Sequence, residues 1–139
     1  MDKDARSTFG WTTLRLTLAG LIAAHGWTRL LGGGVVPFGG WLDEQGLPAG
    51  VAIAATITAV EVVGTLLLAL RRLVVPLTLV YAGIYTAGIA MVHAKEGWFV
   101  VGAGRNGAEY SVLLIVALLC VGLQHLPARR EPRTAHYSP

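Results

Sequence analysis

Four apolar stretches fill most of the chain, at about residues 11–31, 47–70, 73–94 and 107–126, separated by short glycine-rich or charged breaks. Each is close to the ~20 residues that a helix needs to cross a bilayer. Ionisable residues lie within or at the ends of these stretches: Arg15, His25, Arg29, Glu61, His93 and Glu109. A charge at membrane depth costs about 2.5–3.5 kcal/mol on insertion scales, so it faces protein or water and often marks function. The pattern predicts an all-α fold, a polytopic membrane four-helix bundle with a polar interior.

The helical period sharpens this picture. At ~100° per residue, Arg15, Ile22, His25 and Arg29 share one side of the first helix. Thr58, Glu61 and Thr65 share one side of the second. Thr78, Tyr81 and Tyr85 gather on the third, with His93 offset from them, and Glu109, Leu113, Val116, Cys120 and Gln124 line up on the fourth. A bundle that turns these stripes inward, with Leu, Val and Ala outward, accounts for all four.

The breaks set the connections. Residues 1–10 read as a short polar cytoplasmic tail, and Gly32-Gly33-Gly34 ends the first helix. The segment 35–46 holds Pro37, Phe38, Trp41, Asp43 and Glu44, and reads as a loop at the membrane interface, where aromatic rings concentrate. Pro48 suits a helix start. Arg71-Arg72 form a tight turn, a loop from Lys95 to Asn106 holds Trp98 and Phe99, and residues 127–139 read as a polar cytoplasmic tail. The two helix hairpins resemble each other weakly. Each first helix closes on a histidine followed by Gly-Trp, and the second helices share Glu-x4-Leu-x2-Ala-Leu from Glu61 and from Glu109. A duplicated helix pair would explain this.

Composition agrees with a lipid solvent. The chain of 139 residues is 54% hydrophobic and only 14% charged, where a soluble domain would carry roughly a quarter charged residues. Four spans leave no room for a separate soluble domain. The net charge of +3 calls for no nucleic-acid partner, because the cations cluster at helix ends. Lys3, Arg6, Arg71, Arg72, Arg129, Arg130 and Arg133 fall on one side of a four-span arrangement, against Arg29, Lys95 and Arg105 on the other. The positive-inside rule then puts both termini in the cytoplasm of an integral plasma-membrane protein. The first apolar run is too long for a signal-peptide core and has no convincing cleavage site. The single cysteine, Cys120, excludes an internal dithiol relay.

Depth divides the buried polar residues. Arg15 and Glu61 lie deeper toward the cytoplasm on antiparallel helices, so they are expected to pair, either as a structural ion pair or with Glu61 carrying a proton. His25, Arg29, His93 and Glu109 lie in the outer third, near Trp98, Arg105 and Tyr110. Histidine, glutamate and tyrosine can each give or take a proton, and histidine does so near neutral pH. His25, His93 and Glu109 are the candidate catalytic residues, and Arg29, Trp98, Arg105 and Tyr110 the candidate ligand contacts. Such a set suits a quinone ring. A metal or a bis-histidine haem is the less favoured occupant, and histidines that only cap helix ends are the plain structural alternative.

Taken in order, these residues resemble the DoxX family of small four-helix membrane proteins. The resemblance rests on Arg15, on His25-Gly26-Trp27-Thr28-Arg29, on Glu61-Val62-Val63-Gly64, on His93 and on Glu109-Tyr110, and covers about residues 11–126. Arg29 stands where lysine is usual, replacing a flexible point charge by a rigid fork. Thr65 replaces a second glycine. The resemblance implies a quinone-interacting or accessory subunit of a bacterial inner-membrane oxidoreductase system, whose electrons would come from a redox partner protein. Wider relatives handle cargo, so a non-catalytic scaffold, transport or cargo-binding protein is the alternative, and whether the chain is an enzyme stays open. Membrane lipids are expected partners, and small residues on the spans permit oligomers without demanding them.

Overall fold

A computed structural model describes residues 2–127. Among these residues the secondary structure is entirely helical: α1 (Lys3–Leu31), α2 (Val35–Glu44), α3 (Gly50–Ala69), α4 (Val74–Glu96) and α5 (Glu109–Gln124). The expected polar tail beyond residue 127 lies outside the described residues.

Helix α1 begins earlier than the hydrophobic pattern implies. Residues expected to form an N-terminal tail are helical from Lys3, because Asp2 accepts a hydrogen bond from Ala5 N at 2.7 Å and Asp4 adds a negative charge to the first turn. The helix is about 43 Å long at 1.5 Å per residue. It stops at Gly32, whose N–H bonds back to Thr28 O and Leu30 O, and Gly33 takes a positive φ of 67° that reverses the chain.

The segment expected as an interfacial loop is instead helix α2. Pro37 falls in its first turn, where the missing N–H has no helical partner to lose. Gly39 and Gly50 let α2 and α3 approach backbone to backbone. A methyl group on Gly39 would sit 2.5 Å from Val51 Cα. Asp43 Oδ1 accepts from Gly50 N at 2.8 Å, so α2 caps α3 from outside the helix.

Among the described residues, helices α3 and α4 are the two long and apolar enough to cross a membrane. They are joined by a tight turn in which Arg71 and Leu73 take left-handed φ values of 58° and 53°. Pro76 is again accommodated in a first helical turn. Helix α5 is apolar but shorter, at 16 residues.

One core ties the long helices together. Leu18, Ala19 and Ile22 of α1 meet Leu68 of α3, Val74 and Tyr81 of α4, and Leu114, Leu118 and Val121 of α5. Helices α4 and α5 approach closely at Gly122, where an added Cβ would lie 2.6 Å from Thr78 Oγ1. The inward face of α5 differs from the expected stripe. Ser111, Leu114, Leu118, Val121 and Gly122 are buried, while Leu113 and Val116 are 63% and 54% exposed. Glu109 and Gln124 stand at the ends of α5, where a polar group reaches solvent or loop backbone whichever face it occupies. The apolar middle of the helix therefore decides its orientation.

Candidate functional site

Two helices leave α geometry, and each does so at a candidate residue. Helix α3 contains a π turn at Val60–Gly64, which holds Glu61, and α4 contains one at Ile89–His93, which ends on His93. A π turn widens the helix by one residue and disturbs the regular carbonyl pairing, a feature that recurs at functional sites. Side-chain hydroxyls bond the displaced carbonyls of the first π turn. Tyr81 Oη donates to Val60 O at 2.9 Å, and Thr65 Oγ1 donates to Glu61 O at 2.6 Å and to Val62 O at 3.1 Å.

Glu61 is buried and paired, but its partner is Arg29 and not Arg15. Arg29 Nη1 lies 2.5 Å from Glu61 Oε2 and also donates to Thr58 Oγ1 at 3.2 Å. The same guanidinium lies 4.5 Å over the Phe38 ring, which stacks on Trp41 with centroids 6.0 Å apart. The register explains the exchange of partners. Gly26 packs on Glu61, where an added Cβ would come within 2.6 Å of Glu61 Cβ, so the last turns of α1 lie beside the middle of α3. Arg15 is about 16 Å further down α1, at the opposite end of α3. There its Nη1 donates to Leu68 O at 2.6 Å and to Ala69 O, capping the carbonyl end of that helix.

Above the Tyr81–Val60 contact, α3 and α4 part around a partly open cavity of about 680 Å³. Helix α1 contributes His25 and Arg29, α2 Phe38, Trp41 and Leu42, and α3 Ile53, Ile57 and Glu61. A long arc of α4 from Val80 to His93, the loop residues Val100, Asn106 and Gly107, and Tyr110 and Ser111 of α5 complete the wall. The lining is mainly aliphatic and aromatic, with a few converging polar groups, as in small-molecule sites. One of these groups stands out. Tyr85 Oη is buried and has no hydrogen-bond partner among the described residues, with Glu61, Tyr81, Tyr110 and Arg29 as its titratable neighbours. A buried hydroxyl left unbonded costs about 1–3 kcal/mol, so it needs an explanation.

The expected outer cluster divides in two. His25, Arg29, His93 and Tyr110 line the cavity, whereas Glu109, Trp98 and Arg105 do not. Glu109 is committed to the loop: its Oε1 accepts from Val100 N at 2.9 Å and its backbone N–H bonds Trp98 O. A carboxylate at the first residue of α5 has this work because the loop folds back on itself, with Gly107 N bonded to Phe99 O and Asn106 N to Val100 O. Trp98 is 54% exposed, and Arg105 is exposed too. His93 has both roles. Its Nδ1 donates to Asn106 O at 2.7 Å, which anchors the loop and leaves Nε2 of the neutral ring as an acceptor. With Glu109 engaged by Val100 N, it does not join His25 and His93 as a third ligand for the less favoured metal occupant. Among the described residues no three His, Cys, Asp or Glu side chains group into a metal site.

Phe38, Trp41 and Tyr85 join the site without having been singled out as candidates. The four-residue spacing of Tyr81 and Tyr85 was the available signal for the last. It puts one tyrosine on the core and the other a turn higher, in the cavity wall.

The DoxX family model matches residues 10–94, more than half of the chain. The chain belongs to the DoxX family. The match takes in most of α1, all of α2 and α3 and most of α4, including Arg15, the His25–Arg29 element, Glu61 and His93. It stops short of the Glu109-Tyr110 pair that opens α5. No curated protein and no solved structure gives a significant match. DoxX membership and the two candidate spans of α3 and α4 identify a small membrane-associated protein. Within this DoxX protein, the Arg29–Glu61 pair joins two of the matched segments.

Proposed function

We propose that this DoxX protein is an integral membrane four-helix bundle whose cavity binds a quinone, as a quinone-interacting subunit of a membrane oxidoreductase system. The membrane part of this reading is supported by large apolar side chains left exposed along the helices, among them Val63, Leu66, Leu79, Leu113, Val116 and Leu123. The observation that carries the quinone part is the unbonded Tyr85 hydroxyl beside the Arg29–Glu61 pair in a mainly apolar cavity.

The polar groups suit both redox forms of such a ring. A quinone carbonyl only accepts hydrogen bonds, and Tyr85 Oη and the spare N–H groups of Arg29 donate them. A quinol hydroxyl also donates, and Glu61 and His93 Nε2 accept. Phe38, Trp41 and Tyr110 provide aromatic surface for the ring, and the aliphatic arc of α4 provides surface for a hydrocarbon tail. Interconversion of quinone and quinol moves two electrons and two protons. A dehydrogenase partner would supply the electrons, and the role of this chain is to hold the ring and pass protons through Glu61 or His93.

Titration of the purified protein with a short-chain ubiquinone or menaquinone tests this reading, with Tyr85→Phe as the decisive variant. Wild type should bind saturably. Tyr85→Phe should bind about 10-fold more weakly, the effect of one hydrogen bond near the upper end of the usual range, and the ligand-free variant should be more stable by about 1 kcal/mol because the orphan hydroxyl is gone. No saturable binding by wild type would sink the proposal. Binding without exchange of electrons with any membrane dehydrogenase would favour the alternative, a carrier of lipid-like molecules.

A further inference from the structure

A second hollow lies at the other end of the molecule, where the α3–α4 turn and the end of α5 meet the start of α1. It measures about 90 Å³ and is lined by Thr8, Trp11, Thr12, Arg15, Arg71, Gln124 and His125. This is room for roughly three waters at ~30 Å³ each, or for one tetrahedral oxyanion. Among the described residues no carboxylate lines it. Arg15 and Arg71 are nevertheless close enough to repel each other, and Arg15 is only 4% exposed.

Two like charges around a small polar hollow, one of them buried, are stabilised by an anion between them. The hydrogen-bond inventory agrees. Leu68 O and Ala69 O take the two protons of Arg15 Nη1, which leaves three guanidinium N–H donors in a fixed planar fork. Thr8, Thr12, Gln124 and the Trp11 indole add neutral donors. His125 Nδ1 is held by Val121 O at 2.9 Å, which fixes the ring at the rim.

We propose that the hollow formed by Thr8, Thr12, Arg15, Arg71 and His125 is a binding site for a phosphate-type oxyanion. The phosphate has two sources, an anionic phospholipid headgroup or free inorganic phosphate. The site is independent of the quinone cavity, and its test involves no quinone.

The test uses the full-length protein in detergent micelles and in nanodiscs. Inorganic phosphate is titrated against chloride at constant ionic strength with thermal unfolding as the readout, and retention of phosphatidylglycerol over phosphatidylcholine is measured by native mass spectrometry. Arg71→Gln is the site variant, chosen because Arg71 is exposed and the backbone bonds made by Arg15 stay intact. Arg72→Gln is the control, since Arg72 neighbours the hollow without lining it. Wild type should show a phosphate-specific stabilisation, a preference for the anionic lipid, or both. Arg71→Gln should weaken the effect about 10-fold while Arg72→Gln retains it. Stabilisation by phosphate alone assigns a free ion, and lipid preference alone assigns a headgroup. Absence of both effects, or equal loss in the two variants, overturns the proposal, because equal loss is the signature of a diffuse basic surface.

Discussion

At the scale of single residues, Arg29 and Glu61 decide most of what the larger cavity can do. The Glu61 side chain is 6% exposed and that of Arg29 19%, so each has given up much of its hydration for the other. Removing one partner leaves the other charge in an apolar wall, which costs 3–5 kcal/mol in fully buried pairs. For Arg29→Ala the expectation is about 3 kcal/mol, at the low end because the arginine keeps some solvent contact. Replacing both by apolar residues of similar size, Arg29→Met with Glu61→Leu, should recover more than half of that loss, since no unpaired charge remains. Denaturant unfolding of Arg29→Met, Glu61→Leu and the double variant in micelles measures this, and additive losses would contradict the pair. Arg29→Lys is not conservative here. A compact ammonium lacks the extended planar fork that bonds Thr58 and Glu61 while standing 4.5 Å over the Phe38 ring.

At the scale of helices, the close approach of α1 to α3 positions that pair, and a glycine makes the approach possible. Gly26→Ala places a methyl group against Glu61 Cβ and the Val62 side chain, and overpacking of this kind costs about 1–3 kcal/mol. Gly20, on the same helix, has nothing within 4 Å of an added Cβ. Gly20→Ala should therefore be neutral, or stabilising by about 0.5–1 kcal/mol through helix propensity. Thermal unfolding of both variants checks the contrast, and equal shifts would mean that the α1–α3 contact is looser than described. These elements also show what the sequence could and could not reveal. The shared faces of Thr58, Glu61 and Thr65, and of Thr78, Tyr81 and Tyr85, were legible because helical phase is a local property. The partner of Glu61 was not legible. It depends on how far α1 slides along α3, and the contact of Gly26 with Glu61 sets that register. The π turns were hidden as well, since one extra residue in a helix leaves no mark on a hydrophobic pattern read at a fixed ~100°. Helix α2 escaped because Pro37 and paired glycines resemble a loop until tertiary packing on α3 stabilises a short helix.

At the scale of the whole molecule, the two hollows lie at opposite ends of the helices, and this polarity makes the orientation in a membrane testable. The end that carries Arg15 also carries the Arg71-Arg72 turn and the start of α1, while the quinone-sized cavity lies toward the 97–108 loop. Lys and Arg flanking membrane spans stay on the cytoplasmic side. The proposed orientation, with α3 and α4 crossing as a hairpin, therefore puts their joining turn in the cytoplasm and the 97–108 loop outward. The single native cysteine is easily removed by Cys120→Ala, giving a background for accessibility mapping. In that background, Arg105→Cys in intact cells should react with a membrane-impermeant thiol reagent. Arg72→Cys should react only after the membrane is permeabilised. The reverse pattern would invert the protein and place the oxyanion hollow outside, away from the anionic cytoplasmic leaflet that favours a lipid headgroup there. The expected pattern instead places the proposed quinone cavity near the outer interface, so a partner that donates electrons to a bound ring must reach it from within the membrane or from the outer face.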